Sequence, residues 1–146
     1  MSNSIINYEN KYINPNDNIL IMSLCMLKEY TRVTNYFMPT WLKQYFIDVI
    51  DVIIDVKPIG WSDLELDTYF NTDERKKNFI EILKLCIIYL NQKDTKFIGH
   101  KEVNHLFKLE GIEKWGEKNY ILITEITGFL NDLVLLLDND ISSYNS

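Results

Sequence analysis

Asp48, Asp51 and Asp55 recur at i, i+3 and i+7, the spacing of one face of an α-helix. Carboxylates grouped in this way could ligate Mg²⁺ or Ca²⁺, or serve as an acid/base pair. A ligand set on one helix needs partners from a second, and Glu81 and Glu125 are available for that role. A metal-dependent enzyme is therefore one reading. The other is electrostatic. From Asp48 to Glu74, eight acidic residues (Asp48, Asp51, Asp55, Asp63, Glu65, Asp67, Asp73, Glu74) face a single base, Lys57, while the whole chain carries −6. The remaining residues are close to neutral. A localised field of this kind draws in a basic partner and sets its orientation.

Aromatic residues interleave with these acids. Trp61 precedes Asp63, Glu65 and Asp67, and Tyr69 and Phe70 follow them. Interface anchors are enriched in Trp and Tyr, and carboxylates around them pair with Lys and Arg. Trp61 and Tyr69 are the candidate anchors. Phe70, Trp41 and Trp115 are assigned to packing.

Other chemistry lacks the residues it needs. His100 and His105 are five apart, and Glu102 does not directly follow the first histidine, so the zinc-protease helix pattern is not met. The chain has no Gly-x-Ser-x-Gly element, no P-loop and no Gly-x-Gly-x-x-Gly. Cys25 and Cys86 lie inside apolar helical patterns and read as small buried hydrophobes, unbridged, in a reducing compartment. Basic residues are scattered, which argues against nucleic acid as a partner. No apolar run has the length of a membrane span, and no basic segment precedes Ile19–Leu27 as a secretory signal would require. The expected location is cytoplasmic, the expected state is free of cofactor, and no residue is assigned a catalytic role.

A chain of 146 residues with five glycines and three prolines suits one domain of long helices and few turns. Residues 1–14 read as a loose N-terminal arm and 139–146 as a frayed tail. Asn14-Pro15 predicts the start of a helix over about 16–36. Met38-Pro39 opens a second, ending before Lys57-Pro58-Ile59-Gly60. Ser62 and Glu65 fit a capping box for a short helix over about 63–70, and Thr72 caps a longer one to about 91. A short helix over 101–109 and a last one over about 119–137 complete the pattern, with Ile121-Leu122-Ile123-Thr124 the place where a strand would intrude. Gly128 in that last helix suggests a close helix contact or a kink. The expected fold is all-α, a compact bundle of five or six helices. A minor strand pair near 50–60 or 120–126 is the alternative. Its core draws on Leu20, Leu24, Leu27, Ile50, Ile53, Leu83, Ile87, Leu130, Leu133 and Leu137.

In size, charge and helical character, with the carboxylate-rich stretch Trp61-Ser-Asp-Leu-Glu-Leu-Asp-Thr-Tyr-Phe70, the chain resembles the immunity proteins of bacterial toxin systems, including contact-dependent growth inhibition. The resemblance implies a non-catalytic protein that neutralises a cognate toxin, often a nuclease with a basic active-site cleft. Asp48, Asp51, Asp55, Asp63, Glu65 and Asp67 would then be electrostatic contacts, with Trp61 and Tyr69 as anchors. Lys114-Trp115-Gly116-Glu117 also resembles the Asn-Trp-Gly-Arg signature of Bcl-2 proteins, some of them viral. That likeness implies an interaction protein taking up amphipathic helical peptides. Only Trp115 and Gly116 match, and Glu117 stands where the ligand-pairing arginine would be.

Overall fold

The structure is a computed structural model that describes residues 3–56, 60, 62–99, 101–102 and 120–138. It is mostly helical, with two small antiparallel strand pairs. The expected helix over 101–109, both histidines, and Trp115 with Gly116 lie outside the described residues, apart from Lys101 and Glu102.

The first dozen residues, expected as a loose arm, form a hairpin. Strands β1 (Ile6–Tyr8) and β2 (Lys11–Ile13) pair with Tyr8 opposite Lys11. Only Glu9 and Asn10 connect them, and both have positive φ, as a two-residue turn requires to match strand twist. Ile6, Tyr8 and Ile13 are buried, while Ile5 and Asn7 face outward.

Helix α1 (Asp17–Val33) starts two residues after Pro15 rather than at it. Asn16 is the cap, its side-chain oxygen accepting from the N–H groups of Asn18 at 2.8 Å and Ile19 at 3.3 Å. The helix ends in a Schellman arrangement with Asn35 left-handed at φ 49°. There the Tyr36 N–H donates to the Thr31 carbonyl and the Asn35 N–H to that of Arg32.

The next helix is continuous but not uniform: α2 (Thr40–Tyr45), a π-helical turn (Phe46–Ile50) and α3 (Asp51–Val56). The Asp51 N–H reaches back five residues to the Phe46 carbonyl. Inward pairs Tyr45-Phe46, Val49-Ile50 and Ile53-Ile54 repeat every four residues and are all buried. In an unbroken α-helix such a repeat would drift by about 40° each time. The wider π turn takes up that drift and keeps the apolar pairs on the core.

Residues 62–65 belong to neither helix nor strand, and Glu65 is left-handed at φ 49°. Helix α4 (Leu66–Tyr69) is a single turn, and α5 (Asp73–Asn91) begins at Thr72, whose hydroxyl accepts from the Arg75 N–H at 3.2 Å. The loop expected over 93–100 contains β3 (Phe97–Gly99), paired antiparallel with β4 (Tyr120–Leu122), which takes the first residues of the expected last helix. That helix, α6, runs Ile123–Leu137.

Helices α1, α5 and α6 pack on one another and bury most of the core. Of the expected core residues only Ile87 is half-buried, and the others are buried. Cys25 and Cys86 are both buried and free. Among the described residues no helix is long and apolar enough to cross a membrane.

Gly128 marks neither a helix contact nor a kink site under strain. It is exposed, and a Cβ added there would meet nothing within 4 Å. It lines a groove of 350 Å³ between β2, the start of α1 and α6, together with Ile13, Pro15, Ile19 and Phe129. Gly128→Ala should therefore stabilise the fold by about 0.5–1 kcal/mol, read as a higher urea midpoint at unchanged slope. A lower midpoint would show that the helix needs glycine there.

Candidate functional site

The candidate site is an acidic surface built from the helix over 40–56 and the segment over 62–69. In the second segment Ser62, Leu64 and Leu66 are buried while Asp63, Glu65 and Asp67 are exposed. Asp63 and Glu65 alternate with buried neighbours in irregular chain, and Asp67 lies on the outer side of the single turn α4, so all three carboxylates face outward. This acidic strip replaces the expected capping box. The Ser62 side chain is buried, and its N–H donates to the Ser4 hydroxyl at 3.0 Å. Glu65 is left-handed (φ 49°), and its N–H is taken by the Asp63 carboxylate at 2.8 Å. Asp63 thus makes a local turn and stabilises the corner that Glu65 occupies.

Two buried tyrosines hold the strip to the core. The Tyr45 hydroxyl donates to the Leu64 carbonyl at 2.8 Å and that of Tyr8 to the Phe70 carbonyl at 2.6 Å. Burial, with Glu65 and Asp63 next in effect, pushes the Tyr45 hydroxyl well above its ordinary pKa. Burial, then Glu9 and Asp67, push Tyr8 up to about 12. Both phenols therefore stay protonated and remain donors across the physiological range.

The two segments meet at Tyr69. Its ring packs edge-on against Tyr45, with centroids 4.9 Å apart, and its hydroxyl lies 3.5 Å from the Asp48 carboxylate. Partial desolvation, then Asp48 and Glu65, raise the pKa of Tyr69. One phenol therefore sits in the field of carboxylates from both segments. Gln44 also donates to Asp48, at 2.9 Å. Arg75 borders this surface, but its guanidinium lies 4.7 Å from the Trp41 ring centre and donates to the Tyr69 carbonyl at 3.3 Å.

The expected acids separate into four settings. Asp48, Glu65 and Asp63 act on the Tyr45–Tyr69 pair. Asp67 turns toward the hairpin and accepts from the Glu9 N–H at 3.0 Å, and Asp67, Glu9 and Asp73 act together on Tyr8. Asp51 tilts the other way, onto Lys28 of α1 at 2.6 Å, so its charge is compensated within the chain. Asp55 is exposed near the end of the same helix. Trp61 lies outside the described residues. Glu9, far off in sequence, was missed as a neighbour of the acids, because only the hairpin turn carries it there.

The carboxylates considered as second-helix metal ligands are used elsewhere. Glu81 accepts the Tyr36 hydroxyl at 2.7 Å, and Glu125 accepts the Leu122 N–H at 3.1 Å at the start of α6. Among the described residues no group of three or more His, Cys, Asp or Glu is placed to hold a metal ion. What the arrangement offers is a fixed negative field with an aromatic ring inside it, suited to recognising cationic side chains. The chain matches no family model, no curated protein and no solved structure.

Proposed function

We propose that this chain is a non-catalytic binding protein that neutralises a basic protein partner in the cytoplasm, in the manner of immunity proteins that disarm bacterial toxins. The partner's chemistry is that of a toxin domain with a cationic cleft, such as a nuclease. Helices α1, α5 and α6 are read as a rigid bundle carrying the recognition surface. Asp48, Asp55, Asp63, Glu65 and Asp67 are the contacts for the partner's Lys and Arg, and Tyr69 is an anchor. Trp61 joins them on the strength of its place in the sequence, and Asp51 contributes through its pairing with Lys28.

One observation carries this reading: carboxylates from two separate segments share the surroundings of the half-buried Tyr69. Exposed charges of one sign around such a ring speed encounter with an oppositely charged cleft, and the ring slows release once desolvated. The Asp63 and Asp67 carboxylates accept backbone N–H groups, those of Glu65 and Glu9.

The probe is a toxin domain with a basic cleft, taken from a neighbouring reading frame where one is encoded. Replacing Asp63, Glu65 and Asp67 together by Lys should lower the association rate by on the order of a hundredfold and flatten its salt dependence. Growth protection in cells expressing the toxin should fail accordingly. Unchanged association and unchanged salt dependence would sink the proposal.

A further inference from the structure

Phe37 is the most exposed large hydrophobic side chain among the described residues, at 84%. Tyr36 and Met38 on either side of it pack against the core, which leaves the residue between them outside. The chain is pinned both before and after the ring. Before it, the Tyr36 N–H donates to the Thr31 carbonyl at 3.0 Å, and the Tyr36 hydroxyl donates to Glu81 of α5 at 2.7 Å. After it, the Pro39 carbonyl accepts the Leu42 and Lys43 N–H groups, both at 3.0 Å, in the first turn of α2. A phenyl ring held in water forgoes the stabilisation that burial supplies. Nothing in the fold asks for a ring at this position.

Beside the ring lies a hollow of 350 Å³. Tyr36, Pro39 and Leu42 line it from the loop and α2, Asn78 and Glu81 from α5, and Phe37 itself belongs to its wall. A cavity of about 150 Å³ already accepts benzene, so a phenyl group fits here, and Phe37 is too exposed to be filling it. A knob and a hollow on one patch are what a two-fold interface requires, because the same patch must serve both copies.

The charges along α5 agree with such an axis. Glu74, Lys77, Glu81 and Lys84 are exposed, three or four residues apart, and alternate in sign. Glu81 is engaged by Tyr36, whereas Glu74, Lys77 and Lys84 enter no ion pair among the described residues. Glu74 and Lys84 lie equally far from position 79, beside Asn78 in the wall of the hollow. A two-fold axis there, with the two α5 helices antiparallel, sets Glu74 of each copy against Lys84 of the other. The same axis turns each Phe37 toward the other copy's hollow. A uniformly basic or uniformly acidic partner would meet a like charge along this line, and a second copy does not.

We infer that this face is a homodimer interface, in which Phe37 of each copy enters the Tyr36–Leu42 hollow of the other and two Glu74–Lys84 pairs fix the antiparallel register. The inference does not rest on the proposed binding of a basic partner.

Sedimentation equilibrium on the full chain, from about 1 μM to about 1 mM, tests it. The chain should dimerise with rising concentration. Phe37→Ser should weaken the dimer at least about a hundredfold, since each substitution counts twice across the axis. Its thermal unfolding at the lowest concentration should match that of the wild type. Glu74→Lys and Lys84→Glu should each weaken self-association, because each sets like charges together twice. Mixing these two single variants should restore a dimer, now a heterodimer with both pairs of opposite sign, and the double variant should recover self-association. A chain still monomeric at the highest concentration would overturn the inference. So would a Phe37→Ser variant as dimeric as the wild type, or folded charge variants that are unaffected or fail to recombine.

Discussion

Phe70→Ala is expected to destabilise the fold by about 3–5 kcal/mol, enough to unfold much of a domain whose whole stability is of order 5–15 kcal/mol. Phe70 is fully buried and stacks on Phe79, with centroids 4.5 Å apart and planes inclined by 17°. Tyr45 meets it edge-on at 4.9 Å and Trp41 at 5.8 Å. Removing the ring deletes transfer free energy and aromatic contacts together, and it leaves a cavity that its three aromatic neighbours cannot all collapse into. The backbone of Phe70 also accepts the Tyr8 hydroxyl, so the lesion sits where the hairpin, the acidic strip and α5 are joined. Urea unfolding followed by tyrosine and tryptophan fluorescence would measure it. Phe70→Leu, which keeps most of the volume, should cost much less. If alanine costs under about 1.5 kcal/mol, the cluster is not the structural centre described.

The helical part of this fold was legible because long apolar patterns and caps act locally. Thr72 capping α5 and the cores of α1 and α6 are local consequences of residue type. The hairpin was not read because its turn, Glu9-Asn10, lacks the glycine that usually marks positive φ, and because strands of three residues give few positions to count. The alternation of Ile6 and Tyr8 inward with Ile5 and Asn7 outward was nonetheless in the sequence. At Ser62-Asp-Leu-Glu-Leu-Asp67, Ser62 and Glu65 satisfy a capping formula, yet the helix begins only at Leu66, because Asp63 takes the Glu65 N–H and Glu65 turns left-handed.

The aspartates over 48–55 show how much a helical wheel can carry. Spacing put Asp48, Asp51 and Asp55 on one face, and all three do lie on the side away from the core. The π turn, invisible to a wheel drawn at constant pitch, spreads that side. Asp48 leans to Tyr69 on one flank, and Asp51 to Lys28 on the other. Every inward pair there is bulky (Tyr45-Phe46, Val49-Ile50, Ile53-Ile54), and a four-residue apolar repeat too long for α pitch was the available clue.

Asp17→Ala is expected to cost about 3 kcal/mol or more. Asp17 occupies the first turn of α1. One oxygen accepts the Ser4 hydroxyl and the other the Gly60 N–H at 2.6 Å. Ser4 in turn accepts the Ser62 N–H, so a single side chain ties α1 to the segment before the hairpin and to the chain entering the acidic strip. The helix dipole favours a negative charge at that position. Alanine would leave a buried hydroxyl and a backbone N–H without acceptors and would remove the favourable charge, and those costs add. Asp17→Asn keeps one acceptor oxygen but presents an amide donor where an N–H must be received, so its cost should fall between alanine and wild type. Thermal and urea unfolding give the order. Hydrogen exchange gives the location, since the amides of Gly60 and Ser62 should lose protection before those of α5. Equal protection of those amides in the alanine variant and the wild type would mean that the acidic strip is held by Tyr8 and Tyr45 alone.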